Sequence, residues 1–340
     1  MTRFALVSTL PLSVVVTTLV VAGCASNTSA TSNLSSQAQS ANGVAPHVTA
    51  TVKVGKTPLG VAVDSAGHMA YITNSGDRTV SVIDTGSDTT VGAPITVGKG
   101  PDGVALAAGG RKVLVTNADD NSVSVIDAAS RYVIATIEVG KAPQGVAVDP
   151  AGHAAYVTNQ DDNSVSVIDT ATGAVTATIP VGKGPDGLAV DPANHTVYVA
   201  NAGDNSVTVI DTASRTVTAT ISVGKGPDWV VAVPATRSAY VTNADDNSVS
   251  VIDTTTRRVT ETILVGKSPG GWTVDPGPPA AAYITNSGDA SVSVVDLAAR
   301  KVTATVKVGK SPDGIAVDPA THIVYAANAG DDSVSVIATK

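Results

Sequence analysis

The chain has 340 residues, a formal net charge of −8, and only 15% charged side chains. That balance excludes a nucleic-acid backbone as the main partner, because such affinity comes from clustered Lys and Arg. A single cysteine, with two tryptophans and one phenylalanine, excludes an internal disulfide framework and a core built on large rings.

The first elements in chain order lie outside any fold. Arg3 supplies a small positive charge, and an apolar stretch broken by Pro11 runs from Phe4 to Ala22. It ends in Val21-Ala22-Gly23-Cys24. This resembles the lipoprotein signal of bacteria, which implies removal of residues 1–23, lipidation of Cys24 and an extracytoplasmic, membrane-anchored product; the plainer alternative is an ordinary cleaved signal with an incidental cysteine. Residues 24–46, rich in Ser, Thr, Asn, Gln and Ala, read as a flexible tether.

Residues 47–340 repeat seven times. A Val-Gly-Lys-x-Pro tract places its glycine at Gly55, Gly98, Gly140, Gly182, Gly224, Gly266 and Gly309, in steps of 42 or 43 residues. A second marker, an apolar run ending in asparagine, keeps the same rhythm from Asn74 to Asn328. A period in the low forties is the length of one four-stranded propeller blade. The unit after Gly182 shows why. Leu188-Ala189-Val190, Val197-Tyr198-Val199-Ala200, Ser206–Ile210 and Thr216–Val223 are short β-branched runs, each ended by Gly, Pro, Asn or Asp. The expected fold is an all-β, seven-bladed propeller with strands A (inner) to D (outer) in each blade.

The last repeat stops after strand C at Ser333–Ile337, without its own strand D. Val48–Val54 matches the strand-D tract Val302–Val308 at all seven positions. The N-terminal strand is therefore expected to complete the last blade and close the ring.

Strand B reads Tyr156-Val157-Thr158-Asn159 and Tyr240-Val241-Thr242-Asn243, with close variants at Tyr71, Tyr198 and Tyr283, and Ser-Val-Ser-Val-Ile-Asp follows. With that tract the chain resembles the YVTN-repeat β-propeller family of surface and periplasmic proteins. The resemblance covers residues 47–340 and implies a seven-bladed ring outside the cytoplasm. It implies no single activity.

Residues shared by every blade read as structural, so a unique site is sought where the repeat breaks. One face gathers seven lysines, among them Lys225 and Lys267, the Pro-Asp aspartates Asp102, Asp186, Asp228 and Asp313, and the aspartates of the B-to-C hairpins. The face is acidic and could take a cation or basic partner; solvated hairpin charges are the competing expectation. The other face carries His68, His153, His195 and His322, which read as turn-surface residues too far apart to share a metal. Propeller lactonases hold calcium with acids converging in the channel, whereas the inner strands here read Val, Ala, Leu and Ile. No cofactor or metal site is expected, and catalysis by a hydrolase or lyase at the channel mouth is the second reading.

The clearest break is in blades 5 and 6. Trp229 stands where other blades have glycine, and Trp272 where they have Val or Leu. The pair reads either as a recognition patch at the mouth, with Asp228, Asp313, Lys225 and Lys267 beside it, or as wedges packed between blades. The leading expectation is a monomeric, non-enzymatic binding or scaffold module whose ligand is a protein or small molecule at the mouth.

Overall fold

The computed structural model describes residues 45–107, 109–149, 153–277 and 280–339. The leader, Cys24 and the tether up to residue 44 lie outside the described residues. Seven antiparallel sheets form the ring, one per blade. Blade 4 is typical: strand A is Pro185–Asp191, B is Thr196–Asn201, C is Ser206–Asp211 and D is Thr216–Ser222.

Closure follows the sequence pattern. His47–Lys53 pairs antiparallel with Ser333–Ala338, so the outer strand of blade 7 comes from the start of the ring. Thr57 N, in the loop that opens blade 1, donates to Asp332 Oδ1 of blade 7 at 3.0 Å. Blade 1 is the irregular one. Its outer strand is split into Thr89–Thr90 and Ile95–Thr96, with Val91 to Pro94 between them.

The core is not one mass but seven wedges, one between each pair of consecutive blades. Tyr198, Val207 and Val209 of blade 4, for example, pack on Val230, Ala239 and Val241 of blade 5. Strands B and C bury both faces, so small and β-branched side chains fit where large ones would splay the blades. The strand-B tyrosines fill the same place in successive wedges, and Leu114 takes it in blade 2.

Two repeated contacts fix each blade at its loop end. The asparagine closing strand B is fully buried; Asn201 Nδ2 donates to Ser206 Oγ at 3.1 Å and to Thr208 Oγ1 at 2.9 Å. A hairpin aspartate accepts from the backbone of the Gly-Lys loop, as Lys183 N does to Asp204 Oδ2 at 2.6 Å. The seven Gly-Lys loops are thus held by carboxylates of the B-to-C hairpins.

Deleting residues 47–54 strips the outer strand from blade 7 and bares the edge of Ser333–Ala338. The truncated chain should melt lower by about 5 °C or more and associate, as measured by calorimetry and light scattering. A monomer with unchanged melting would refute this closure.

Candidate channel-mouth site

Six of the seven inner strands open with Pro-x-Gly, blade 5 with Pro227-Asp228-Trp229, and that tripeptide is not a plain turn. In blade 4, Pro185 pairs with Asn201 and Leu188 with Val199, so Asp186 and Gly187 together face only Ala200. The same register shift recurs in every inner strand, from Pro58/Val61 in blade 1 to Pro312/Ile315 in blade 7. This is a β-bulge, which re-aims a side chain out of the regular alternation.

The bulge is locked from both sides. Thr158 of strand B accepts from Gly145 N of its own blade at 2.9 Å and donates to Asp186 O of the next at 2.6 Å. Thr73, Thr116 and Thr285 make the same 2.6 Å reach to Asp102 O, Gln144 O and Asp313 O. The approach is so close that a Cβ on Gly187 would lie 2.6 Å from Asp228 O. Glycine is needed there for space, not for a left-handed backbone.

The first bulge position of the seven blades carries Leu59, Asp102, Gln144, Asp186, Asp228, Gly270 and Asp313. Four carboxylates therefore come from the inner strands themselves. This corrects two sequence expectations: the inner strands are not free of acids, and these four aspartates are not solvated hairpin charges. Burial, then the charge of Asp313, pushes Asp102 up to about 7. Burial, then Asp313 and Asp102, pushes Asp228 up to about 7. Asp186 is raised well above the usual carboxylate range by burial and then by Asp228, Asp102 and Asp313. Asp313 is raised by burial. Asp102, Asp186 and Asp228 are half-buried and Asp313 is exposed, although the protein around them is dense enough to raise all four. The two observations fit a narrow wet channel, in which water enters but bulk hydration does not. No cationic group is among the charges that shift these four residues.

The other candidates separate. Trp272 is 3% exposed and stacks on Tyr240 of blade 5, centroids 5.1 Å apart and 24° between planes. It is a wedge between blades 5 and 6, not a mouth residue, and that half of the expected aromatic patch is corrected. Its Nε1 and the Tyr240 hydroxyl are both buried without a hydrogen-bond partner among the described residues. Trp229 is half-buried; its backbone N–H donates to Thr242 Oγ1 at 3.0 Å and its side chain packs toward the same wedge. Lys225 and Lys267 belong to the repeated loop clamp: their backbone N–H groups donate to Asp246 and Asp289 at 2.7 Å, and their side chains are exposed. On the opposite face His322 is more than a surface turn residue, because its Nδ1 lies 2.9 Å from Asp275 Oδ1 of blade 6. Among the described residues no three His, Cys, Asp or Glu side chains gather as a metal-ligand group.

The architecture defines a seven-bladed β-propeller. Residues 149–238 match the family model described as YNCE-like beta-propeller. Among solved structures the chain is similar to hydrazine synthase of Kuenenia stuttgartiensis, at 24% identity and a TM-score of 0.76, over 83% of this chain and 96% of that one. That likeness concerns the fold alone. No curated protein matches the chain.

The Asp102 carboxyl sets a pH dependence of stability. Its pKa is 3.8 in the reference state and about 7 in the fold, so between those values the folded chain holds a proton that the unfolded chain has lost. Stability is then greatest below the lower value and falls as pH rises through the window. Asp102→Asn should raise stability at pH 8 by about 1–2 kcal/mol, allowing for partial access of water, and leave it nearly unchanged at pH 4. Calorimetry at the two pH values checks this; an equal effect at both overturns it.

Proposed function

We propose that the chain is a binding or scaffold module of the cell envelope that captures a cationic group at its channel mouth. The convergence of Asp102, Asp186, Asp228 and Asp313 without a counter-cation carries this reading. Ionised together they repel one another, and an entering cation offsets that repulsion and restores the charged forms. Because these carboxylates form no metal-ligand group, the cation that suits them is organic and extended, such as a polyamine or a Lys or Arg side chain of a partner. Trp229, next in chain to Asp228 and half-buried, supports the reading as apolar surface beside the charge.

Spermidine is a suitable probe by isothermal titration. Binding should strengthen from pH 6 to pH 8 as the carboxylates ionise, weaken with salt, and fall about tenfold or more in Asp102→Asn/Asp228→Asn. Heat that is unchanged in the double variant and across pH would sink the cation site.

A second reading, hydrolysis or elimination on a small substrate at the mouth, rests on one observation. Carboxyls with a pKa of about 7 suit general acid–base work. Lyase or esterase turnover that disappears in Asp228→Asn would favour it over simple binding.

The location is part of the proposal. Cys24 follows Val21-Ala22-Gly23 after an apolar stretch, which supports lipidation there and anchoring outside the cytoplasm. Cys24→Ala should move the protein from the membrane fraction to the soluble one or leave the leader uncleaved. Fractionation and leader removal identical to the parent would remove the anchor from the proposal.

A further inference from the structure

The face opposite the channel mouth repeats a charge pattern, with one exception. Strand A ends in an acid in five blades, at Asp64, Asp149, Asp191, Asp275 and Asp318. Beside four of them stands a basic side chain of the following blade. On the strand-B tyrosines of blades 1, 3 and 4, burial acts first and the acid next, and an arginine opposes them: Arg131 at Tyr71, Arg215 at Tyr156 and Arg257 at Tyr198. At Asp275 the basic group is His322, whose Nδ1 lies 2.9 Å from Oδ1. The exception is the interface that closes the ring, between blades 7 and 1. There the arginine position is Asp88, in the same left-handed turn conformation, with φ 52° against 59°, 56° and 55° for Arg131, Arg215 and Arg257. We propose that a calcium ion binds at this interface between Asp318, Thr85 and Asp88, where the sister interfaces use a basic side chain.

The first argument is a buried charge. Asp318 is 0% exposed. Its Oδ1 accepts from Ser65 Oγ of blade 1 at 2.6 Å and from Ala320 N at 2.9 Å, so the carboxylate lies against blade 1. Its Oδ2 is buried with no hydrogen-bond partner among the described residues. Burial raises this carboxyl, but the pull of Ser65, Ala320 and Thr321 outweighs burial and holds it below the usual range, so it is charged at neutral pH. No basic group answers that charge. Burial, Asp88, Asp318 and Asp84 all push the Tyr325 hydroxyl up, and no cation is among the groups acting on it. His68, the counterpart of His322, acts on Asp84 and is not among the groups acting on Asp318 or Tyr325. A buried carboxylate oxygen left in this state is costly.

The second argument is an uncharged orphan. Thr85 is 5% exposed, and its Oγ1 is buried with no partner among the described residues. The same threonine in blades 3 and 7 donates its hydroxyl to the A-to-B turn, Thr170 to His153 O at 3.0 Å and Thr339 to His322 O at 2.8 Å. Thr85 gives that turn only its backbone N–H, to His68 O at 3.0 Å. Between blades 3 and 4 the counterparts of Asp318 and Thr85, which are Asp149 and Thr212, line one cavity. The repeat therefore brings the two orphaned oxygens to one place. Tyr325 adds Asp88 to them, because its hydroxyl donates to Asp88 Oδ1 at 3.1 Å and to Thr85 O at 3.4 Å.

The donors select the ion. Two carboxylates and a hydroxyl are hard oxygen ligands, with no imidazole or thiolate among them, and that set suits calcium over zinc. A dication balances Asp318 and Asp88 together, whereas a water molecule would donate to Oδ2 and leave both charges in place. With two acids and not three, water completes the shell, and the affinity belongs to the weak range of about 0.1–1 mM. The ion would join blade 7 to blade 1 where the two ends of the ring meet. It shares no residue with the channel.

The test is the melting temperature of the full chain in EDTA and in about 5 mM calcium chloride at matched ionic strength. Calcium should raise it by about 2 °C or more, and the same concentration of magnesium by less than about half of that. Asp88→Arg, which gives this turn the side chain its sisters carry, should abolish the calcium shift and melt in EDTA no lower than the parent. Thr85→Val, nearly equal in shape, should reduce the shift by about half or more. Asp102→Asn/Asp228→Asn, in the channel, should keep it in full. Absence of a shift in calcium, an equal shift in magnesium, or a shift that survives Asp88→Arg or vanishes in the channel variant would each overturn the proposal.

Discussion

The ring depends on how closely its inner strands approach. At six of the seven bulges a glycine leaves the space a Cβ would occupy, and the neighbouring carbonyl moves into it, as Asp186 O does at Gly145. The strand-B threonine then ties the two blades by accepting from one backbone and donating to the next. The contact combines sterics with a buried hydrogen bond, and each half needs the other: a side chain at the glycine would push the carbonyl out of reach of the hydroxyl. Where the pattern lapses the ring adapts. Ala200 and Ala327 replace the threonine in blades 4 and 7, and Trp229 replaces the glycine in blade 5. Four cross-blade ties remain, from Thr73, Thr116, Thr158 and Thr285.

Because the bulge is repeated, whatever residue stands at its first position is delivered to the channel. That is the link from fold to chemistry here. The scaffold supplies a ring of seven equivalent positions, and the sequence places aspartate at four of them. The hairpin aspartates have another task. Asp204 and its equivalents hold the Gly-Lys loops through backbone N–H groups, so their charge is spent on structure. Two sets of aspartates that look alike in composition therefore differ in role: one partners backbone donors near solvent, the other faces its own kind in an enclosed channel.

The fold was legible because its evidence is periodic. Two markers in one rhythm give the blade count, and the match of Val48–Val54 to Val302–Val308 gives the closure. The burial of Trp272 was also readable in principle, since it aligns with Leu188 and Val230, which belong to the wedges. The acidic channel was not. Proline, aspartate and glycine in succession are good turn residues, and local propensity places Pro185-Asp186-Gly187 in a solvated loop. Only the register shift at Pro185/Leu188, together with the neighbouring blade's approach, turns that aspartate inward.

The spacing of the four channel acids bears on what can occupy them. They come from blades 2, 4, 5 and 7, so only Asp186 and Asp228 stand on adjacent strands, with Leu59, Gln144 and Gly270 separating the rest. Asp228 is accordingly the first charge to act on Asp186, ahead of Asp102 and Asp313. A ring of seven acids would repel itself so strongly that most would remain protonated, while a single pair would attract one small cation and saturate. Four acids spread unevenly leave one dense side at blades 4 and 5, next to Trp229, and two outlying carboxylates at blades 2 and 7. A point-like ion can satisfy only the dense side, whereas an extended cation can set one charge there and another across the channel, meeting apolar surface along the way. The asymmetry thus favours a ligand with length and several charges, and it arises from changes at single positions that leave the glycine of the bulge, and so the ring, largely untouched.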